Sequence, residues 1–344
     1  MKIGVTYDLK TDWVKSPDEP EDIHAELDKP KTVDNLVKAL ESTGHKIIRI
    51  GNVYNLLKQL DNLNVDIVFN ITEGRHGRNR ESQVPNLLEM KGIPFVGSDA
   101  LTMGITLDKV VAKQIFISEG IPTPKYFVAR ENDDLKKLNT IGFPLIVKTR
   151  HEGSSKGINE QSVVKDLSSL KDRVAFINKN YKQPALVEEF IAGMEFTVPV
   201  LGNGADTQAM PIVQTTIEGK QDLGNMIYTN RRIYDTSVQY LCPAAVDASL
   251  AKKIQELAVR AFKAVECRDL ARIDFRVDKK GNPYILEINP LPSFDEEDTF
   301  HLFPKLFGSS FEDTIHLILN FALKRYNLIK EDFPIFYKEG TGVL

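Results

Sequence analysis

Apolar positions along this chain recur with two different periods, and each period predicts the element beneath it. Residues 3–7 form a short apolar run suited to a strand. After a charged, proline-containing loop from Lys10 to Lys31, Val33, Leu36, Val37 and Leu40 recur at helical spacing, and Gly44 closes that helix. Residues 46–50 and 65–71 are predicted strands. The second is a continuous apolar run of the kind a parallel sheet covered on both faces requires. Residues 92–98 predict another. Strands alternating with helices over the first hundred residues predict a small open parallel α/β domain, whose ligands gather beyond the carboxyl ends of its strands. The loop of residues 72–81 follows Ile71 at such an end and carries Arg75, His76, Arg78 and Arg80.

The remainder alternates differently. Thr106 is placed to cap a helix holding Leu107, Val110, Val111 and Ile115, ended by Gly120 ahead of Pro122 and Pro124. Residues 143–147 predict a strand leading into Lys148, and residues 186–191 and 196–201 predict two more. A long amphipathic helix over 249–265 carries Leu250, Ile254, Leu257, Ala261 and Phe262 on one side. Ile315, Ile318, Leu319, Ala322 and Leu323 mark a final helix. This part of the chain is mixed α+β.

Between those two helices, residues 271–289 alternate around Lys279-Lys280-Gly281-Asn282 and predict a β-hairpin. With those four residues as the loop, Asp274 falls opposite Glu287 and Arg272 opposite Asn289, all four on one face. The other face carries Ile273, Phe275, Val277, Tyr284, Leu286 and Ile288 toward a core. Directly opposed carboxylates repel unless a cation lies between them. Two carboxylates beside an amide oxygen are donors that Mg²⁺ prefers. A solvated face with an arginine offsetting two acids is the other reading of the same pattern.

Composition narrows the classes. The chain has 344 residues, 42% of them hydrophobic, which is enough for a real core and two or three domains. A net charge of −4 and a pI near 6.0 argue against nucleic-acid or anionic-membrane partners. No apolar run reaches membrane-spanning length, and the first residues read as a strand rather than a signal peptide. Cys242 and Cys267 are the only cysteines, with no metal spacing and no disulfide framework, so a reducing cytoplasm is the expected compartment.

Other segments carry chemistry less specifically. Gly153-Ser-Ser-Lys-Gly157 is a small loop whose backbone N–H groups and hydroxyls can cradle phosphate oxygens, although it lacks the P-loop spacing and such loops are usually plain turns. Lys148, at the end of an apolar strand and beside that loop, suits a phosphate contact or a snorkelling edge position. Glu188, Glu189 and Glu195 offer ribose-binding carboxylates or exposed edge charges.

In order along the chain, His76-Gly-Arg78, Gly92-Ile-Pro-Phe-Val-Gly-Ser98, Leu107-Asp-Lys109, Pro144-Leu-Ile-Val-Lys148, Glu152-Gly-Ser-Ser-Lys-Gly157, Leu186-Val-Glu-Glu189, Glu195-Phe-Thr-Val198, Cys242-Pro-Ala244, Arg272-Ile-Asp-Phe275 and Leu286-Glu-Ile-Asn289 resemble the D-alanine–D-alanine ligase family of the ATP-grasp superfamily. The resemblance implies an N-terminal α/β substrate-side domain over 1–100. It also implies two α+β lobes, 101–191 with the glycine/serine loop and 192–344 with a metal site, that sandwich ATP. Lys109 and Lys148 would contact the α- and β-phosphates, and Ser154 and Ser155 would lie in the loop closing over the nucleotide. Glu188, Glu189 and Ile191 would meet the adenine side, and Glu195 the ribose. Asp274, Glu287 and Asn289 would hold two Mg²⁺, with Mn²⁺ as the alternative ion. Arg272 and the backbone of Ser293 would face the developing oxyanion, and His76 and Arg78 the substrate. The implied reaction joins a carboxylate to an amine through an acyl phosphate, and the implied assembly is a homodimer.

The departures from the family pattern fall where substrate is chosen. The family's N-terminal Ser-Glu-x-x-Val-Ser stretch has no clear counterpart. After Arg78 the sequence runs Asn79-Arg80-Glu81-Ser82-Gln83, one residue out of step. Arg231 or Arg232 stands for the usual mobile-loop lysine, with Tyr228 or Tyr234 as its aromatic. The acidic insert Asp295-Glu-Glu-Asp298 is unusual. Arg75, Arg78 and Arg80 suggest an additional carboxylate or phosphate on a substrate, or else a solvated basic loop. D-alanyl-D-alanine synthesis leads as the specific activity. An amino-acid or dipeptide ligase with other substrates, a non-catalytic ATP-binding module and a kinase remain as alternatives.

Overall fold

The computed structural model describes residues 1–229, 232 and 237–329. The first sheet holds β1 (Lys2–Tyr7), β2 (Lys46–Gly51), β3 (Ile67–Ile71) and β4 (Phe95–Val96), all parallel in the order β2-β1-β3-β4. Every residue of β3 is buried, as a centrally placed strand covered on both sides demands. One face packs on Val33, Leu36, Val37 and Leu40 of the helix Pro30–Glu41. The other packs on Leu56, Val84 and Leu88. The helix Phe311–Arg325, last among the described residues, completes the first of these cores with Ile315, Ile318, Leu319 and Ala322. The first and last parts of the chain therefore share one core.

The second sheet contains β5 (Tyr126–Ala129), β6 (Leu145–Thr149), β7 (Val163–Val164) and β8 (Ala185–Glu189), antiparallel in the order β5-β8-β6-β7. Leu145, Val147, Ala185 and Val187 pack on Leu170, Val174 and Ile177 of the helix Leu167–Tyr181. Because side chains alternate, Ile146, Lys148 and Glu188 point to the opposite face.

The third sheet holds β9 (Gly193–Gly202), β10 (Gln208–Ala209), β11 (Val213–Ile217), β12 (Val238–Leu241), β13 (Asp269–Asp278) and β14 (Pro283–Asn289), ordered β12-β11-β9-β13-β14 with β10 on β9. Phe196, Val198, Ile273 and Phe275 pack on Ile254, Leu257, Ala261 and Phe262 of the helix Ala248–Ala264. Two antiparallel sheets, each with a helix on its outer face, thus turn polar faces toward a common cavity. Among the described residues no helix is long and apolar enough to cross a membrane.

Local chemistry sets several boundaries that periodicity misplaced. Asp108, not Thr106, caps the helix Lys109–Ser118, its carboxylate accepting from the Val110 and Val111 N–H groups. Thr106 lies in the preceding helix Ala100–Leu107 and donates to the Thr102 carbonyl. Gly120, at φ +63°, does end that region.

The hairpin contains a larger surprise. Val277 faces Pro283 and Phe275 faces Ile285, so five residues separate the arms; then Leu286 is bulged out and Asp274 faces Glu287, with Arg272 opposite Asn289. The wide turn is held by the Asp278 carboxylate, which accepts from the Lys280 and Asn282 N–H groups at 2.8 and 2.9 Å. Turn and bulge each shift the register by one, in opposite senses, and the predicted pairs survive. The core side does not survive unchanged. Pro283, Ile285 and Ile288 are buried there, whereas Tyr284 is only half-buried and Leu286 turns to the cavity.

Asp269 ties the sheets together. Fully buried, it accepts from the Gly97 N–H at 2.8 Å, from Asn203 at 2.8 Å and from Arg325 at 2.6 Å. Replacing it with alanine leaves the Arg325 charge without its counterion. We expect Asp269→Ala to lower the unfolding free energy by roughly 3–5 kcal/mol. Urea denaturation measures this, and a loss below about 1 kcal/mol would contradict the role assigned to Asp269.

Candidate active site

The cavity between the sheets measures about 930 Å³. Its floor is the polar face of the third sheet, where register brings Glu195 beside Arg276 and Thr197 beside Asp274. Arg276 Nε lies 2.9 Å from Glu195, and the Thr197 hydroxyl donates to Asp274 at 2.8 Å. Arg272 and the Asn289 amide both donate to the other Asp274 oxygen at 3.1 Å. Asp298 stands 3.7 Å from Arg272. The Arg272 Nε is buried with no hydrogen-bond partner among the described residues.

Lysines approach from the other side. Lys109 Nζ is 3.0 Å from Glu287 and also donates to the Glu152 carbonyl. Burial alone would push the Glu287 carboxyl up, but Lys109 and Lys148 outweigh it and hold it at about 2. Burial dominates at Asp274, whose carboxyl is raised although Arg272 opposes the shift. One opposed acid is thus charged at low pH while its neighbour resists ionising, as two carboxylates sharing a site should.

Glu188, expected on the adenine side, lines the cavity. It is completely buried between Lys113 and Lys148, each 2.7 Å away. Burial would raise its carboxyl, but the two lysines bring it below the ordinary value. One carboxylate cannot fully compensate two ammonium groups, and burial lowers Lys113 to about 8. Lys113 went unnoticed in the sequence. Its spacing of four from Lys109 on an otherwise apolar helix was the available signal.

Glu189, Ile191 and Glu195 line the cavity, as do Ser154, Ser155 and Ser293. Ser154 and Ser155 have φ of 46° and 54°, a left-handed pair that points successive N–H groups the same way. Arg231 and Tyr234 lie outside the described residues. Tyr228 lines the cavity with its hydroxyl 2.9 Å from that of Tyr240, and Arg232 stands 4.0 Å from Glu160.

The basic loop, read from the sequence as an anion site or a solvated loop, makes pairs within the chain. Arg75 lies 4.6 Å over the Trp13 ring and 3.4 Å from Glu19. Arg78 reaches the Asp108 cap at 2.8 Å, and neither His76 nor Arg78 lines the cavity. Arg80 is buried and donates twice to Glu26, at 2.8 and 2.9 Å. Glu26 also accepts from Lys156 at 2.6 Å and from the Gly153 N–H, which latches the glycine/serine loop to the N-terminal domain. The acidic insert docks too: Asp295 pairs with Lys29 at 2.5 Å and Glu296 with Lys31 at 2.6 Å.

Comparison with known proteins bears directly on this arrangement. Residues 115–320 match the family described as D-ala D-ala ligase C-terminus. Over 263 residues the chain is 38% identical to a D-alanine--D-alanine ligase of Janthinobacterium sp. (strain Marseille), covering 75% of this chain and 79% of that one. It is 33% identical over 304 residues to uncharacterized protein y4sG of Sinorhizobium fredii, covering 86% and 88%. Its fold is similar to that of D-alanine--D-alanine ligase from Bacillus anthracis complexed with ATP, with a TM-score of 0.74, 22% identity, and 95% and 99% coverage. Fold and site together define an ATP-dependent carbon–nitrogen ligase of the ATP-grasp class. Within that class, the chain belongs to the D-alanine–D-alanine ligase family.

The latch sets an acid dependence. Burial would raise Glu26, but Arg80 and Lys156 hold it at about 2, against an ordinary 4.5. A depressed carboxyl contributes stability above its unfolded value and loses it as pH falls toward the folded one. Stability should therefore drop by about 3 kcal/mol between pH 4.5 and 2 through this group. In Glu26→Gln that part of the slope should vanish, with lower stability at neutral pH; unchanged slopes in denaturant titrations would exclude the latch.

Proposed function

We propose that the chain condenses an amino-acid carboxylate with an amine while ATP becomes ADP and phosphate, with a pair of D-alanines as the first substrates to test. The observation that carries this reading is the pair Asp274 and Glu287, opposed on one strand pair and faced by Lys109 and Lys148. Such an array suits a polyphosphate bridged to protein carboxylates by cations.

In this reading Lys109 and Lys148 neutralise the α- and β-phosphates, and Glu188 holds Lys148 in place. The left-handed Ser154–Ser155 backbone turns N–H groups to the phosphate end, as a nest does. Glu195 accepts from ribose hydroxyls, while Glu189, Ile191 and Leu286 border the base. Asp274, Glu287 and Asn289 form an oxygen donor set of the kind Mg²⁺ prefers, although among the described residues no three His, Cys, Asp or Glu are placed to hold a metal ion by themselves. Bound there, the ion would offset phosphate charge and hold the phosphates in line.

The substrate carboxylate oxygen bonds to the γ-phosphorus as the bond to the β-phosphate oxygen breaks, which releases ADP. The amine nitrogen then attacks the acyl carbon, the carbon–oxygen bond to phosphate breaks, and the nitrogen gives up a proton. Arg272 suits the developing oxyanion because its buried Nε is unpartnered. The Ser293 backbone N–H supplies a second donor. Holding both reactants in the cavity removes most of the entropic barrier.

ADP release measured over single and paired amino acids tests the reading. Release that needs a pair, with a condensed product, supports ligation. Release with one compound and no product indicates a kinase, and none at all indicates a binding module. Glu287→Gln should reduce turnover about a hundredfold or more; wild-type rates would remove the metal role. Homodimer formation belongs to the same proposal, and sedimentation of the purified chain tests it.

A further inference from the structure

Lys113 lies on the helix Lys109–Ser118, one turn beyond Lys109, and is fully buried. It does not line the cavity, whereas its neighbours Lys148 and Glu188 do. Glu188 offers one carboxylate oxygen to each lysine: Oε1 is 2.7 Å from Lys113 and Oε2 is 2.7 Å from Lys148. The Lys113 ammonium also donates to the Thr123 hydroxyl at 2.7 Å, and that hydroxyl donates to the Ile285 carbonyl at 2.8 Å. Ile285 belongs to β14 and precedes the bulged Leu286, so Lys113 is held between the second sheet and the hairpin of the third.

Two ammonium groups around one carboxylate leave one positive charge in excess. Burial lowers Lys113 to about 8, which still leaves it largely protonated at neutral pH. Because Lys113 is sealed from the cavity, the excess reaches that space through Lys148. Three other cations on the same walls are matched there: Lys109 by Glu287 at 3.0 Å, Arg276 by Glu195 at 2.9 Å and Arg272 by Asp274 at 3.1 Å. Without Lys113, Glu188 would cancel Lys148 in the same way. This part of the wall would then have no surplus charge to offer an anion.

We infer that Lys113 is a positioning residue for nucleotide phosphates, which acts through Glu188 by occupying one of its two oxygens and so leaves the Lys148 ammonium with charge to share with a phosphate. The inference rests on the phosphate contact proposed for Lys148 and extends it to a residue outside the cavity. Through Thr123 the same ammonium is fixed to the hairpin arm that carries Glu287, so it cannot turn away from Glu188 without breaking that link.

Charge counting separates this role from a purely structural one. Lys113→Met keeps the length of the side chain and brings the group to zero net charge. Lys113→Met combined with Glu188→Gln restores the single excess charge, and the glutamine oxygen can still accept from Lys148. Calorimetric titration of the full chain with ADP and Mg²⁺, and separately with adenosine, gives a ratio of affinities that isolates the phosphates and cancels changes at the base. That ratio should fall at least about tenfold in Lys113→Met, the scale of one charge-assisted hydrogen bond. The double variant should recover most of the loss. Both variants exchange buried charges for neutral side chains and should melt as the wild type does; Lys113→Gln carries the same expectation if Lys113→Met melts early. An unchanged ratio in the single variant, an equal loss for adenosine and ADP, or a double variant no better than the single one overturns the inference. If an amino-acid pair supports ADP release while the ratio is unmoved, the ligase stands and the role of Lys113 falls. If the ratio moves as expected but no pair supports release, the reverse holds. A wild-type chain that binds no ADP removes both.

Discussion

Buried charge has to be matched, and that requirement organises the space between the sheets. Lys113, Lys148 and Glu188 form one interior group, Lys109 and Glu287 another, and Arg272, Asp298 and Asp274 a third. Each is individually expensive to desolvate, and each is held by strands or helices that cannot move without breaking a core. Cations from the second sheet's side and carboxylates from the third therefore meet across the cavity in a defined geometry. In the proposed reading, a nucleotide's phosphates would enter an electrostatic frame that is already in place.

The N-terminal domain is bound into this frame rather than merely adjacent to it. Glu26 reaches the glycine/serine loop, Asp22 accepts from the Gly157 N–H at 2.7 Å, and Asp295 and Glu296 dock on Lys29 and Lys31. Such contacts couple the position of the glycine/serine loop to that of the N-terminal residues. Asp269 and Arg325 complete the link at the far end, where the last helix returns to the first sheet.

Much of the site was legible in the sequence because strand alternation is a local rule. Once Arg272, Asp274, Glu287 and Asn289 were placed on a hairpin, their common face followed, and the structure brings them together. The same rule failed for Tyr284 and Leu286, because a bulge obeys hydrogen bonding around Asp278 rather than periodicity. Lys109, Lys148, Ser154, Ser155 and Ser293 also came to the cavity. Glu188 reached it too, but its two lysine partners were not legible, since a buried carboxylate cannot be told from an exposed one by its neighbours in sequence.

The sequence by itself determined which residues could share a face, where helices and strands alternate, and the family to which the chain belongs. These depend on backbone periods and short motifs, which act over a few residues. Tertiary structure alone decided which charges are neutralised. Arg75, Arg78 and Arg80 read as a free basic cluster until acids 30 to 56 positions distant in the chain, Asp108, Glu26 and Glu19, were folded against them. The same folding set Lys113 and Lys148 on either side of Glu188, because pairing is a property of space and the sequence records only order.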